Sequence, residues 1–579
     1  MGKLLRITVS TLLLAAGVHP AVQGSATSGT TPKDDVLLST AQAELRRAQA
    51  ELGKLDPAPY FISYSIHDEN SSAAVASLGS LVTSTHLRQR FGDAIMRIGT
   101  PALDNTHQEN RPSGISSAAL PLEDNSDAIA HVLWQLTYRE YRKASKAYLN
   151  VKTSTQVHAP EEDLSADFSR ETSQNHIEHS QDPPSSDRAT LEKLAKRYSE
   201  GFRKYPQIVT SVAVITEQYS RSYFVSSEGS TIVIPSALVR LVIEAQAVAD
   251  DGMQLVRAES FQADSLGHLP PETEVLARTA KMASDLKSLR SAPAAEPFDG
   301  PALLSGRAAA VFFHEVLGHR LEGRHQRGER EGQTFTKQVN QRVLPEFLSI
   351  SDDPTRHILD GVELSGSYEY DDEGLPAQKV DVIQGGILKD FLMSRMPIKN
   401  FSTSNGHGRA QPGLMPTGRQ GNLIVSSSKT VPDSELHQKL IDEIKKQGKP
   451  YGLYFEDIQG GFTLTQRTAP QAFQILPVLV WRVYPDGRPD ELVRGVDIVG
   501  TPLAVLNRIL LTGAKNEVFN GVCGADSGNV PVSASAPAML FSEIEVQKKA
   551  HLLNRPPVLP PPGFENSAAN PQSKAGGGQ

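Results

Sequence analysis

The stretch FFHEVLGHRLEG, residues 312–323, holds two histidines, His314 and His319, with Glu315 beside the first. A zinc peptidase helix usually spaces its histidines four apart, so that both imidazoles face one metal ion. Here the spacing is five. On an ideal helix, positions five apart lie about 140° from one another, too far round to share a metal. One extra residue taken up in a π-type turn restores a common face, and such turns are frequent at functional sites. Gly318, with no Cβ, eases a turn or a helix end there. Spacing alone leaves two readings open: a metal site on a deformed helix, or no metal site at all.

The flanking residues sharpen the question. RAAAVFFHEVLGHRLEG, residues 307–323, is rich in helix formers and apolar almost all round, which predicts a buried helix. Ser305 or Gly306 starts it and Gly323 stops it. Buried His and Glu need partners, and either a metal or a hydrogen-bond network supplies them.

Further out, the chain is ordinary for a globular protein: 579 residues, 39% hydrophobic and 21% charged. A net charge of -8 leaves no basic footprint, which argues against nucleic acid as a partner. Lys3 and Arg6 precede the apolar run Ile7–Val18, and small residues follow, the layout of a secretory signal peptide over residues 1–26 with cleavage between Gly24 and Thr27. That run is short for a bilayer, so the expected product is exported, to the periplasm of a two-membrane bacterium, without stable membrane insertion. The single cysteine, Cys523, excludes an intrachain disulfide. It is either a packed apolar residue or a reactive or metal-binding thiol.

Patterning divides the chain. Residues 35–295 read as an N-terminal α/β domain. Leu38, Ala41, Leu45, Ala48 and Leu52 mark one helix, residues 128–149 a second, and 188–204 and 270–290 further helical stretches. Residues 60–69 read as a strand, and 211–229 as a β-hairpin ending in a turn at Glu228-Gly229. Residues 153–187 are polar without apolar period and read as a surface loop or insertion. The Pro/Ala-rich stretch 290–301 looks like a domain boundary. Residues 300–550 are strand-rich, with hairpins at Gly385-Gly386 and Pro485-Asp486-Gly487 and one helix capped by Asp433 and ended by Gly448. Residues 554–579 read as a disordered tail. The expected class is α+β: an N-terminal α/β domain followed by a mainly β domain that carries the buried helix.

Four ordered motifs resemble the TldD/PmbA metallopeptidase family, also called modulators of DNA gyrase: HEVLGHRLEG, then YDDEGLPAQKVDVIQGGILKDFL, then SNGHGRA, then NGVCGADSGNVPVSASAPAML. The resemblance spans residues 300–546 and implies a TldD-like, zinc-bearing subunit. It implies one zinc ion on His314, His319 and Cys523, and a zinc-bound water activated by Glu315 for hydrolysis of short or unfolded peptides. It also implies a homodimer or a heterodimer with a TldD/PmbA-like paralogue. The alternative is a catalytically idle scaffold or partner subunit in an exported complex. Glu322, three residues after His319, is within helical reach to support that ligand, or is a surface carboxylate. His407 and Arg409 in the glycine-rich loop are candidates to stabilise an oxyanion. His325 is a rival third ligand in what reads as an exposed loop. His176 and His179 have metal-compatible spacing in a polar loop, and Asp371, Asp372 and Glu373 read as an acidic turn rather than a calcium loop.

Overall fold

The computed structural model describes residues 35–107, 114–157, 163–179, 187–327, 331–466, 472–549, 559–562 and 564. The signal-peptide reading of 1–26 and nearly all of the tail reading of 554–579 lie outside them.

Two large sheets organise the chain. The N-terminal one has eight strands, and its spine is the run Ser80–Thr100, Pro59–Ser77, Thr210–Ser226, Thr231–Val248 and Gln254–Ala263. These neighbours all pair antiparallel; only the short strand Asn175–Ile177 runs parallel to its partner. The expected α/β domain is therefore α+β. Tight turns at Leu78-Gly79 and at 227–230 join long consecutive strands, and two strands joined so closely must run antiparallel. Helices Val36–Leu52, Ser126–Val157, Arg188–Glu200 and Glu272–Ser291 cover the sheet. Leu37, Ala41, Leu45 and Ala48 form the buried face of the first, close to the expected stripe. The expected hairpin over 211–229 is instead one 17-residue strand. Its polar middle, Thr216–Ser222, pairs on both sides and does not turn. The turn at Glu228-Gly229 is present, with Gly229 at φ 100°.

The C-terminal sheet has eleven strands. Pairing runs full circle through Gly528–Lys548, Val496–Gly500, Phe473–Val483, Gly452–Thr463 and Phe298–Leu304, which returns to Gly528–Lys548. Both expected glycine turns form: Gly385, Gly386 and Gly487 all hold positive φ. The helix Leu436–Gln447 ends at left-handed Gly448 as expected. Asp433 does not cap it; its carboxylate accepts the backbone N–H of Ala514 instead.

The polar segment 153–187 is not simply a surface loop. The preceding helix runs on to Val157, and residues 167–169 are buried between the two halves. Phe168 lies between two guanidiniums, 3.8 Å from Arg97 and 3.9 Å from Arg395, one from each half. Asp167 accepts from Arg327 at 2.8 Å, from the backbone N–H of Asp104 at 2.9 Å, and pairs with His107 at 2.8 Å. Removing one member of such a buried set leaves charges without a counterion. The Asp167→Ala variant is expected to lose about 3–5 kcal/mol of stability, measured as a fall in the urea midpoint.

Candidate metal centre

The motif helix begins where Ser305 accepts the N–H of Ala308. Its first part, Gly306–Phe313, is buried but for Arg307, and Phe312 meets Phe473 and Phe541 edge-on. At His314–Gly318 the helix widens into a π turn, with the N–H of His319 donating to the carbonyl of His314. A last α turn, His319–Leu321, follows. The five-residue spacing is thus accommodated as the first reading requires: the imidazole centroids lie 5.0 Å apart.

Two neighbours hold the π turn. Buried Arg320 donates to the carbonyls of Glu315 and Val316 at 3.3 and 3.0 Å, and to Thr463 Oγ1 and the Leu464 carbonyl at 2.7 and 3.1 Å. Burial lowers its pKa to about 10, which leaves it charged near neutral pH. On the other side, the Gln420 amide reaches the His314 carbonyl at 3.4 Å. A Cβ on Gly318 would come within 2.0 Å of Gln420 Oε1, so glycine is required here for close approach; its φ of -52° is ordinary.

Cys523 arrives from the strand Ile509–Ala525, 204 residues beyond His319, with its Sγ 3.3 Å from His319 Nε2. The ligand atoms of His314, His319 and Cys523 lie within 4.8 Å of one another, and all three residues are buried. Zinc bonds of about 2.0–2.1 Å to nitrogen and about 2.3 Å to sulfur place tetrahedral ligands roughly 3.3–3.6 Å apart. The observed contact is of that size, and the thiol-plus-imidazole donor set suits a borderline-soft ion. Burial raises the Cys523 thiol, but His319 and His314 outweigh it and bring it well below its usual range. Burial works against protonation of His319, yet Cys523 and Glu322 carry its pKa well above normal.

Glu315 is buried beside these atoms, its Oε2 3.9 Å from His319 Nε2, and burial raises its pKa. Gly461 packs against it: a Cβ there would lie 2.9 Å from Glu315 Cγ. Glu322 is no surface carboxylate. It is fully buried, with Oε1 3.2 Å from His319 Nδ1 and Oε2 3.2 Å from His325 Nε2. Burial would raise its pKa, but His319, His325 and Arg419 hold it well below the usual range. Arg419 donates to the Cys523 carbonyl at 2.8 Å and lies 3.6 Å from Glu322, so it joins the two halves of the donor set.

The other candidates sit elsewhere. His325 is buried between Glu322 and Glu331 instead of lying in an exposed loop, and it is not among the converging donors. His407 is fully buried against Asp352 and Asn405. Arg409 donates to the carbonyls of Gln420 and Pro531. Both scaffold the glycine-rich loop, so neither supplies an oxyanion donor in this arrangement. His176 pairs with Glu178 and Glu369, while His179 is exposed. Asp371 accepts the N–H groups of Glu373, Leu375 and Gly408, the acidic turn expected. Arg320, Gln420 and Arg419 escaped the sequence reading.

Residues 298–548 match the family described as the PmbA/TldA metallopeptidase C-terminal domain. A metalloprotease of Archaeoglobus fulgidus is 29% identical over 239 residues, 41% of this chain and 51% of that protein. A TldD homolog metalloprotease of Buchnera aphidicola from Acyrthosiphon pisum is 28% identical over 250 residues, 42% of this chain and 47% of its own. The matched region spans about half the length of these curated relatives. TldE from Thermococcus kodakarensis superposes with a TM-score of 0.57 at 11% identity, covering 88% of this chain and 100% of that one. A Thermotoga maritima protein named for modulation of a DNA gyrase gives 0.55 at 15%, covering 87% and 99%. Residues 298–548 thus share their family with the PmbA/TldA metallopeptidase C-terminal domain. The structural likenesses speak for the TldD/PmbA fold in both halves, and the sequence match for the metallopeptidase half.

Gln420 is fully buried and has little room to withdraw from a new Cβ. The Gly318→Ala variant is expected to lose about 1–3 kcal/mol. The double variant Gly318→Ala/Gln420→Ala should recover most of that loss, and a double-mutant cycle from denaturant melts reads the coupling.

Proposed function

We propose that this chain is a zinc-dependent peptidase acting on short or unfolded peptides, with His314, His319 and Cys523 as metal ligands. One observation carries the proposal: a thiol and two imidazoles, brought from 204 residues apart, converge in a buried site beside a carboxylate. When bound, zinc would supply Lewis acidity toward a peptide carbonyl and toward water. Glu315 is placed to take a proton at Oε2 and return it to the leaving amine, and its raised pKa suits a group that must do both. Glu322 acts through His319: it accepts the Nδ1 proton, which fixes the tautomer and turns Nε2 toward Cys523. His319 and His325, with Arg419 behind them, keep Glu322 ionised against its burial, and Arg419 pins the Cys523 backbone.

The idle-scaffold reading finds no support in the side chains, since all four required groups are present and face one another. A TldD/TldE-type partnership is supported by the likeness to TldE, and an enclosing partner would restrict access to short or unfolded chains. The export reading stays part of the proposal and rests on Lys3, Arg6 and Ile7–Val18. No helix among the described residues is long and apolar enough to cross a membrane.

Two substitutions test the roles separately. Glu315→Ala is expected to keep zinc and lose about 10²–10⁴-fold in peptide turnover. Cys523→Ser should lose both zinc, read by metal analysis, and turnover, because a hydroxyl is a poor zinc ligand. Full zinc content in Cys523→Ser would sink the assigned ligand set. The Glu322→Gln change should weaken zinc about 10–100-fold, read by chelator competition.

A further inference from the structure

The helix Ser126–Val157 packs one side on the N-terminal sheet, through Ile129, Leu133, Leu136 and Ala144, and turns the other to solvent. On the exposed side His131, Trp134, Tyr138, Arg142, Lys146 and Leu149 follow one another at steps of three and four. Such steps set them in one line, straight for about 27 Å along the axis. Trp134, Tyr138 and Leu149 are 42%, 54% and 55% exposed. The line is continuous at its aromatic end. The His131 and Trp134 ring centres lie 5.2 Å apart, those of Trp134 and Tyr138 6.3 Å apart and 21° from parallel, and the Arg142 guanidinium stands 5.7 Å over Tyr138. Exposed apolar side chains gathered in this way mark an interaction surface, whereas scattered ones do not.

The same face is basic. From Ala128 to Lys152 the helix carries Arg139, Arg142, Lys143, Lys146 and Lys152 against a single carboxylate, Glu140. Glu140 is fully buried and accepts from the Gly114 N–H and from Ser116 Oγ, with Lys143 at 3.1 Å. Arg139, Arg142 and Lys146 are exposed, and among the described residues no carboxylate pairs with them. Glu123, Asp124 and Asp127 stay at the N-terminal end of the helix. A strip of positive charge thus stands on a chain whose net charge is -8. Its complement is negative, and it must also take up a tryptophan, a tyrosine and a leucine in line with the cations. A bilayer surface does both: phosphates meet the cations, and the headgroup boundary accepts the aromatic rings and the leucine. A nucleic acid offers phosphates and stacking but nothing for Leu149.

We propose that this helix face docks the protein reversibly on an anionic phospholipid surface, with Trp134, Tyr138 and Leu149 at the headgroup boundary and Arg139, Arg142 and Lys146 against the phosphates. The docking is peripheral and independent of the peptidase reading.

The test is sedimentation with vesicles of equal parts phosphatidylglycerol and phosphatidylcholine, against vesicles of phosphatidylcholine alone. The chain without residues 1–26 is used, because the run Ile7–Val18 would itself enter vesicles; every described residue lies beyond 34, so the fold is kept. Binding is expected to the mixed vesicles only, and to weaken as salt rises. Each cation near such a surface is worth roughly five-fold in partitioning, so the triple change Arg139→Gln/Arg142→Gln/Lys146→Gln should cost roughly 100-fold. Trp134→Ala/Leu149→Ala should cost roughly ten-fold. The wild-type tryptophan emission should shift to the blue on binding, and Trp134→Phe should bind without that shift, since Trp481, the other tryptophan, lies in the C-terminal sheet. If the triple variant does not fold, by circular dichroism, the emission and the salt series decide. Equal binding to both vesicles, binding to neither, full binding by the triple variant, or a blue shift that survives Trp134→Phe would overturn the proposal. Retention of single-stranded DNA without vesicle binding would overturn it in favour of a nucleic-acid surface.

Discussion

The arrangement of the candidate centre depends on one extra residue in one helical turn. In an unbroken α-helix His314 and His319 would face different walls of the core. The π turn at His314–Gly318 brings them together, but it weakens the regular ladder and needs support from outside the helix. Arg320 provides it from one side and Gln420 from the other. Each supporter brings its own constraints. Arg320 ties the turn to Thr463, at the end of a strand of the ring, and to Leu464 just beyond it, and Gln420 demands glycine at 318.

Much of the centre was legible in the sequence because its chemistry is written in rare residues. The histidine pair and its adjoining glutamate were visible in the residues themselves, and the spacing of five pointed to a widened turn; the lone cysteine entered as third donor through the family resemblance. Glu322 was legible as a possibility and proved to be buried on the histidine side. The supporting residues were not legible. Arginine and glutamine are ordinarily surface residues, and nothing local marks Arg320, Arg419 or Gln420 as buried. Their partners outside the motif turn lie about 100 or more residues away, so only the folded chain shows why they are there. His325 was misplaced for the same reason: its charged neighbours suggested solvent, whereas Glu322 and Glu331 draw it inward. His407 and Arg409 were placed in the right loop but given the wrong task, because a glycine-rich loop signals close packing as readily as ligand binding.

The fold was legible where periodicity and turn chemistry agreed. The paired glycines at 385–386 and Gly448 punctuated the C-terminal half correctly. In the N-terminal half, helices between strands suggested crossovers, whereas long strands joined by tight turns built an antiparallel sheet. Polar composition misled twice: at Thr216–Ser222, where a strand continues, and at 167–169, where a phenylalanine is held between guanidiniums. Polarity indicates exposure only when the partners are water.

The way Cys523 and the histidines are held also determines what kind of metal centre the proposed one would be. In small zinc domains the ion is a staple, and the apo chain has no structure to lose it from. Here the histidines ride on a helix sunk among the phenylalanines of a closed strand ring, and Arg419 grips the cysteine backbone. The donors are gathered by contacts that owe nothing to an ion. Under the zinc proposal such a centre would be preassembled: occupancy would set whether chemistry happens, while the architecture stands on its own contacts. Metal would then be exchanged as a tenant without disturbing the building.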